Sequence, residues 1–279
     1  MKKLLVLICI GFSLYCCTTK ETPPDPRSTD GLMLFFSRYK EAYSKCKNST
    51  EQDSLYKKRD VMLMKYSDSV AFFDNLKGTI GEITNTLALI NKDPSENNAR
   101  YIRFIFNINR DSINITLACS LLIDDMTLKE DDSVAKSYYK IIERMRPGDS
   151  LYIRGAFSHN IKNWGIKNND AFSYDHKIID NSMTKSPSYE FDVFELSNKP
   201  MDSLSTNLKE SILCLRASLN TDVDPALSDK REAANEAQKQ CFNKLSGPEK
   251  IKCGFYQRQM LLWIFLANRS IVSLDYYTN

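Results

Sequence analysis

Histidine and tryptophan are scarce in this chain: His159 and His176 are the only imidazoles, Trp164 and Trp263 the only indoles. No Gly-rich phosphate loop, serine or cysteine nucleophile motif, His-Glu-x-x-His or Cys-x-x-Cys occurs. The usual sequence signatures of nucleotide hydrolysis, acyl transfer, zinc proteolysis and thiol exchange are therefore missing, and the chain reads as non-enzymatic. Neither sign of charge dominates, with 38 Lys+Arg against 35 Asp+Glu. A phosphate-binding surface concentrates its cations into a footprint. Here the densest basic cluster, Lys57-Lys58-Arg59, is followed at once by Asp60, as on a solvated helix face, so nucleic acid is not an expected partner. Apolar runs are short as well. A membrane-spanning helix needs ~20 apolar residues, and the run from Leu4 to Tyr15 falls short of that.

That run has another meaning. Lys2-Lys3, the apolar stretch and Leu14-Tyr15-Cys16-Cys17 have the three-part layout of a cleaved export signal. Leu14 to Cys17 resembles the lipobox of bacterial lipoproteins, with an apolar residue three before a cysteine that becomes the acylated N-terminus. The resemblance implies a signal peptide over residues 1–16 and lipidation of Cys17, with Cys16 as second choice. Three prolines and many hydroxyls follow, and residues 17–30 are expected to form a tether that cannot bury a core. The lipobox, the opening Met-Lys-Lys and the Asn/Lys/Tyr-rich composition resemble lipoproteins of the Bacteroidota. Such a protein sits in the cell envelope, held to the outer membrane by its fatty acids and facing either the periplasm or the exterior.

Five cysteines remain besides the leader's two and Cys17: Cys46, Cys119, Cys214, Cys241 and Cys253. Disulfides persist in oxidising compartments. Cys241–Cys253 would close a short loop around Ser246-Gly247-Pro248 and is the preferred pair, with Cys214 as competing partner. Cys119 falls on the inner side of an expected strand, where a thiol acts as a small apolar group.

Hydrophobic periodicity divides the body into three regions. Over residues 31–73, Leu32, Phe35, Phe36, Tyr39 and Tyr43, then Met62, Tyr66, Val70 and Phe73, recur at helical spacing and predict two amphipathic helices. Over 74–198 the period becomes two, beginning from Leu76 with Ile80 and Ile83 in a Gly-punctuated segment that reads as the first strand. Ile102, Phe104, Phe106 and Ile108 alternate with Tyr101, Arg103, Ile105 and Asn107; Asn109-Arg110-Asp111 reads as a turn into Ile113, Ile115, Leu117 and Cys119. A helix through Val134, Tyr138, Ile141, Ile142 and Met145 stops at Pro147-Gly148. Two further strands follow: Leu151, Ile153, Gly155 and Phe157, then Tyr189, Phe191, Val193 and Glu195 alternating with Phe194 and Leu196. Three strands, a helix and two strands is the order of the OB-fold, a five-stranded Greek-key barrel. Over 199–279 the helical rhythm returns and predicts a three-helix unit. The fold class is α+β.

Two stretches carry a looser likeness. Asp74-Asn75-Leu76-Lys77-Gly78-Thr79-Ile80, and Tyr138-Tyr139 with Met145-Arg146-Pro147-Gly148-Asp149-Ser150-Leu151-Tyr152-Ile153-Arg154-Gly155-Ala156-Phe157, resemble uncharacterised exported bacterial proteins with an OB-fold-like domain. The likeness implies a barrel. OB barrels bind ligands over strands two and three and nearby loops, which by analogy nominates Tyr101, Arg103 and Arg110, with Trp164 on the long loop. A protein or glycan partner is the expectation, with no cofactor.

Two other readings compete. His159, Asp170 and His176 could be drawn together as a two-His, one-carboxylate centre of a metal-dependent envelope hydrolase, although no fixed ligand spacing supports it. Alternatively, the C-terminal helices could serve a structural or assembly lipoprotein as its partner surface. Finally, Asp-Ser-apolar triplets recur at Asp53, Asp68, Asp111, Asp132, Asp149 and Asp202. They resemble the O-glycosylation sequon of Bacteroidota; turn and cap chemistry is the preferred account.

Overall fold

A computed structural model describes residues 23–89, 98–111, 113–125, 133–157, 159–160, 165–166, 188–223 and 225–268. Asp25–Ser28, inside the expected tether, form a turn, and the Ser28 hydroxyl caps helix α1 (Thr29–Ser44) by accepting from Gly31 N at 3.1 Å. Leu32, Met33, Phe36 and Tyr39 bury the inner face of α1. Asn48 caps α2 (Ser49–Val70), while Glu51 reaches back to Lys47 N at 2.7 Å, so two otherwise orphaned donors are satisfied at one helix start. The stripe expected on α2 is offset at one position: Met62 is exposed and Leu63 takes the inner place, in phase with Ser67 and Val70. At the end of α2, Ala71 adopts φ 63° and turns the chain straight into the barrel.

The barrel is closed, in the order β1 (Phe73–Leu89), β2 (Asn98–Arg110), β3 (Ile113–Asp125), β7 (Ser188–Ser197), β4 (Ser150–Phe157) and back to β1. Helix α3 (Ser133–Ile142) lies between β3 and β4 in the chain, and β3 runs parallel to β7. This is the OB-like arrangement that the order of periodicities predicts. A short pair, β5 (His159–Asn160) with β6 (Gly165–Ile166), falls between β4 and β7.

Closure depends on β1 serving two neighbours. Phe73–Thr79 pair with β4, Thr79–Leu89 pair with β2, and the register slips between Ile80 and Ile83. Such a bulge bends a strand and increases its twist. The Gly148 turn locks the bend, donating its N–H to Ile80 O at 2.8 Å, while Ile80 N donates to Asp149 O at 2.9 Å. Inside, Phe73, Phe157, Phe191 and Tyr189 form an edge-to-face cluster with centroids 5.1–6.2 Å apart. Each ring removes roughly 1.5–3 kcal/mol worth of apolar surface from water.

One alternation breaks. Gly155 pairs with Val193 but Arg154 pairs with Glu195, leaving Phe194 as an extra residue on β7. The slip puts Leu196 opposite Ile153, in the inner position expected of Glu195, and turns Glu195 outward beside Arg154.

The C-terminal unit comprises α4 (Thr206–Val223), a 3-10 turn (Pro225–Lys230), α5 (Arg231–Asn243) and α6 (Gly247–Asn268). The stripe Leu204, Leu208, Ile212, Leu215 and Leu219 is buried, as its spacing predicts. The disulfide joins Cys214 to Cys241, with Cα atoms 6.7 Å apart. The preferred Cys241–Cys253 pairing is therefore corrected. Cys241 lies on the helix that packs beside α4, whereas Cys253 on α6 turns inward and is a buried free thiol. Among the described residues, no helix is long and apolar enough to cross a membrane.

Candidate functional site

The barrel end at which β1 begins opens into a polar cleft of about 550 Å³, within the ~300–1,000 Å³ range of small-ligand sites. Its walls are Ser28–Asp30 at the start of α1, Asn75 and Lys77–Thr79 of β1, Asn107–Arg110 of β2, and Ser150 of β4. Lys77 N donates to Thr29 Oγ1 at 2.8 Å, which staples the helix start to the strand. Gly78 is dictated by close approach: a Cβ there would lie 2.4 Å from Asn107 O and 2.6 Å from the Phe106 ring.

Most of the residues that line this cleft carry a polar or charged side chain, although their carbon atoms supply much of its surface. Ile108 is its one large aliphatic side chain, and it points into the barrel core at 2% exposure. The polar groups differ in how committed they are. Arg110 donates to the Asp30 carboxylate and lies 3.6 Å from that of Asp111. The Asn107 carboxamide oxygen accepts from Thr116 Oγ1 at 3.1 Å. The Lys77 ammonium lies 6.0 Å from the centroid of the Tyr152 ring, a cation–π contact, and has no carboxylate partner among the described residues.

Asn75 joins this cleft to a second polar feature. At φ 54°, a conformation asparagine tolerates better than most residues, its carboxamide pairs with the Met201 main chain. The next residue, Asp202, offers its carbonyl to Arg154 Nη2 at 2.8 Å. Arg154 is 1% exposed and is saturated by acceptors: Nε donates to Asp74 Oδ1 at 2.8 Å and Nη1 to Glu195. Glu195 in turn accepts from Tyr256 OH at 2.5 Å and pairs with Lys252 Nζ at 2.8 Å. Burial pushes the Tyr256 hydroxyl far above its ordinary range, so it stays protonated and donates to the carboxylate. Desolvation lowers the Lys252 ammonium, with Arg154 adding repulsion. Three strands, β1, β4 and β7, and α6 are thereby joined by a compensated ionic cluster. Gly155 lets β4 approach β7 there, since a Cβ would lie 2.1 Å from Asp192 O.

The residues nominated by fold analogy separate. Arg110 lines the cleft. Arg103 instead reaches Glu190 Oε1 at 3.2 Å, crossing the outer face of β3. Ala118 and Ser120, on that same outer face, are each 1% exposed, and α3 and α6 pack against β3. The middle of the strand face that OB barrels commonly use is thus already covered by this chain's own elements. The backbone of Tyr101 pairs with Thr86 and Leu122. His159 contributes only backbone pairing with Ile166 to the description. Trp164, Asp170 and His176 lie outside the described residues, as do Cys16 and Cys17. Among the described residues no group of three metal-ligating side chains converges. Lys77, Asn75 and Ser150 escaped the strand-face analogy, although Asp74–Ile80 and Met145–Phe157, the two stretches singled out for their likeness, contain all three.

The Asp-Ser-apolar triplets prove to be of mixed use. Asp149 Oδ2 accepts from Arg146 N at 2.8 Å and Asp111 holds φ 47°, both turn chemistry, whereas Asp53-Ser54 lies within α2. Ser54, Ser69, Ser150 and Ser203 are exposed.

Barrel, flanking helices and end cleft together define a helix-flanked OB-like protein. No family model, curated protein or solved structure matches the chain.

Proposed function

We propose that this chain is a lipid-anchored protein of the bacterial cell envelope that binds a protein or glycan partner without catalysis, using the end cleft as its recognition surface. Acylation at Cys17 would supply the anchor, with residues 18–24 as spacer. The observation that carries the binding reading is the convergence of four chain segments on one cleft, held in place by Ser28, Thr29 and Gly78. Rigid positioning of a few hydrogen-bonding groups is what a recognition site requires.

The anchor is tested by intact-mass spectrometry of native material: an acylated N-terminal cysteine supports it, and an unmodified initiator methionine overturns it. The cleft is tested with Asn109→Trp, which places an indole at its rim. Loss of binding on a glycan array or to envelope proteins, with an unchanged melting temperature, supports the assignment. Full binding by the variant moves the site elsewhere.

A further inference from the structure

Resting on that reading, we infer that the cleft takes an anionic saccharide, a sugar bearing a carboxylate, sulfate or phosphate, with the Lys77 ammonium as the group that selects the charge. The chemistry of the lining favours a sugar over a protein side chain. Protein interfaces place aromatic and aliphatic anchors at their centres, and this cleft offers hydroxyls and carboxamides instead. Thr79, Asn109 and Ser150 bring short polar side chains from three different strands to one cleft, the donors and acceptors that the hydroxyls of a sugar ring can pair with.

Charge gives the second step. Two cations and one acid line the cleft, and Asp30 is already paired with Arg110. Arg110 is held by Asp30 and Asp111, which leaves Lys77 as the lining cation with no carboxylate partner among the described residues. Its ammonium lies 6.0 Å from the centroid of the Tyr152 ring, its register neighbour on β4. The N-terminus of the sixteen-residue helix α1 opens onto the same space and adds positive potential. An anionic group on the ligand would meet both the Lys77 ammonium and the first turn of α1.

Isothermal titration of the mature protein with tetragalacturonate, a heparin-derived tetrasaccharide and neutral cellotetraose tests the inference and separates carboxylate from sulfate sources. At least one acidic tetramer should bind about tenfold more tightly than the neutral one. That preference should weaken with added salt, fall about tenfold in Lys77→Gln, and largely return in Lys77→Arg. Because Lys77 is exposed, its glutamine variant should retain the parent melting temperature. Equal binding of cellotetraose and the acidic probes, or an acidic preference untouched by Lys77→Gln, overturns the selection by charge while leaving a glycan-binding cleft in place. If none of the three binds and a broad array of neutral and acidic glycans is also blank, both the inference and the glycan reading fail.

Discussion

Asn75 grips Met201 through both ends of its carboxamide, Nδ2 donating to the Met201 carbonyl and Oδ1 accepting from its N–H, each at 2.7 Å. One side chain therefore fixes both a wall of the cleft and the strand-to-helix linker 126 residues away. Asn75→Ala removes both bonds and puts a less tolerant residue at φ 54°. It should destabilise the fold by about 2–3 kcal/mol, as two lost hydrogen bonds plus backbone strain imply. Urea denaturation gives the magnitude, and amide exchange should rise first at residues 201–205. Unaltered protection there would refute the coupling.

Arg154 should be the most sensitive position in the ionic cluster. Removing one partner from a buried pair leaves the other charge uncompensated, typically at about 3–5 kcal/mol. Arg154→Met should reach that range because Glu195, 4% exposed, loses its principal donor. Arg154→Lys should recover little, since an ammonium cannot address Asp74, Glu195 and the Asp202 carbonyl with one planar fork. Chemical denaturation curves of the two variants distinguish this from simple charge loss.

Two groups set opposite pH limits. Hydrogen bonds from Ser205 and Ser246 hold the Glu249 carboxyl down at about 2. A depressed acid favours the folded state above its ordinary pKa, so this contribution is present near neutrality and is lost as pH falls from about 4.5 toward 2. The exchange of Glu249→Gln should flatten the acid limb of the stability curve. Burial raises the Tyr66 hydroxyl to about 12, and its proton is donated to Pro26 O. Here the protonated form favours folding, and stability falls as pH rises from 10 to about 12. Tyrosinate absorbance should show a phase at about pH 12 that disappears in Tyr66→Phe, while Tyr256 remains protonated to still higher pH.

The Cys214–Cys241 bridge spans 27 residues, a loop length for which chain-entropy arguments give about 3–4 kcal/mol. None of the residues of α5 is buried, so the bridge is a principal tie on that helix. Cys241→Ser should loosen α5 in amide exchange while leaving the barrel strands protected. Alkylation of the native protein should modify Cys46 ahead of Cys119 and Cys253, which are buried and whose thiols burial holds above the ordinary range.

Strand and helix identities were legible because most faces obey a single period: Ile102 to Ile108 and Ile113 to Cys119 lie inside as their alternation requires. The failures occur where a local irregularity shifts the phase. The extra Phe194 on β7 exchanges the sides of Glu195 and Leu196, and no alternation count contains that residue's irregular pairing. Choosing Cys253 over Cys214 followed loop length, whereas the pairing follows which helix α5 packs against. The cleft was only partly legible. Arg110 could be named from the expected turn, but Lys77, Asn75 and Ser150 converge through β1 bending to pair with two strands, a three-dimensional event with no marker beyond Gly78.

Ser28 to Asp30 form one rim of the cleft, so the amino-terminal segment departs from the body beside the cleft itself. Ten residues lie between Cys17 and Ser28, so the two are at most about 40 Å apart along a fully extended chain. Under the proposed acylation, a captured molecule would be kept within that radius of the lipid headgroups. The leash then fixes the depth at which the protein can fish, favouring material close to the bilayer over anything farther out.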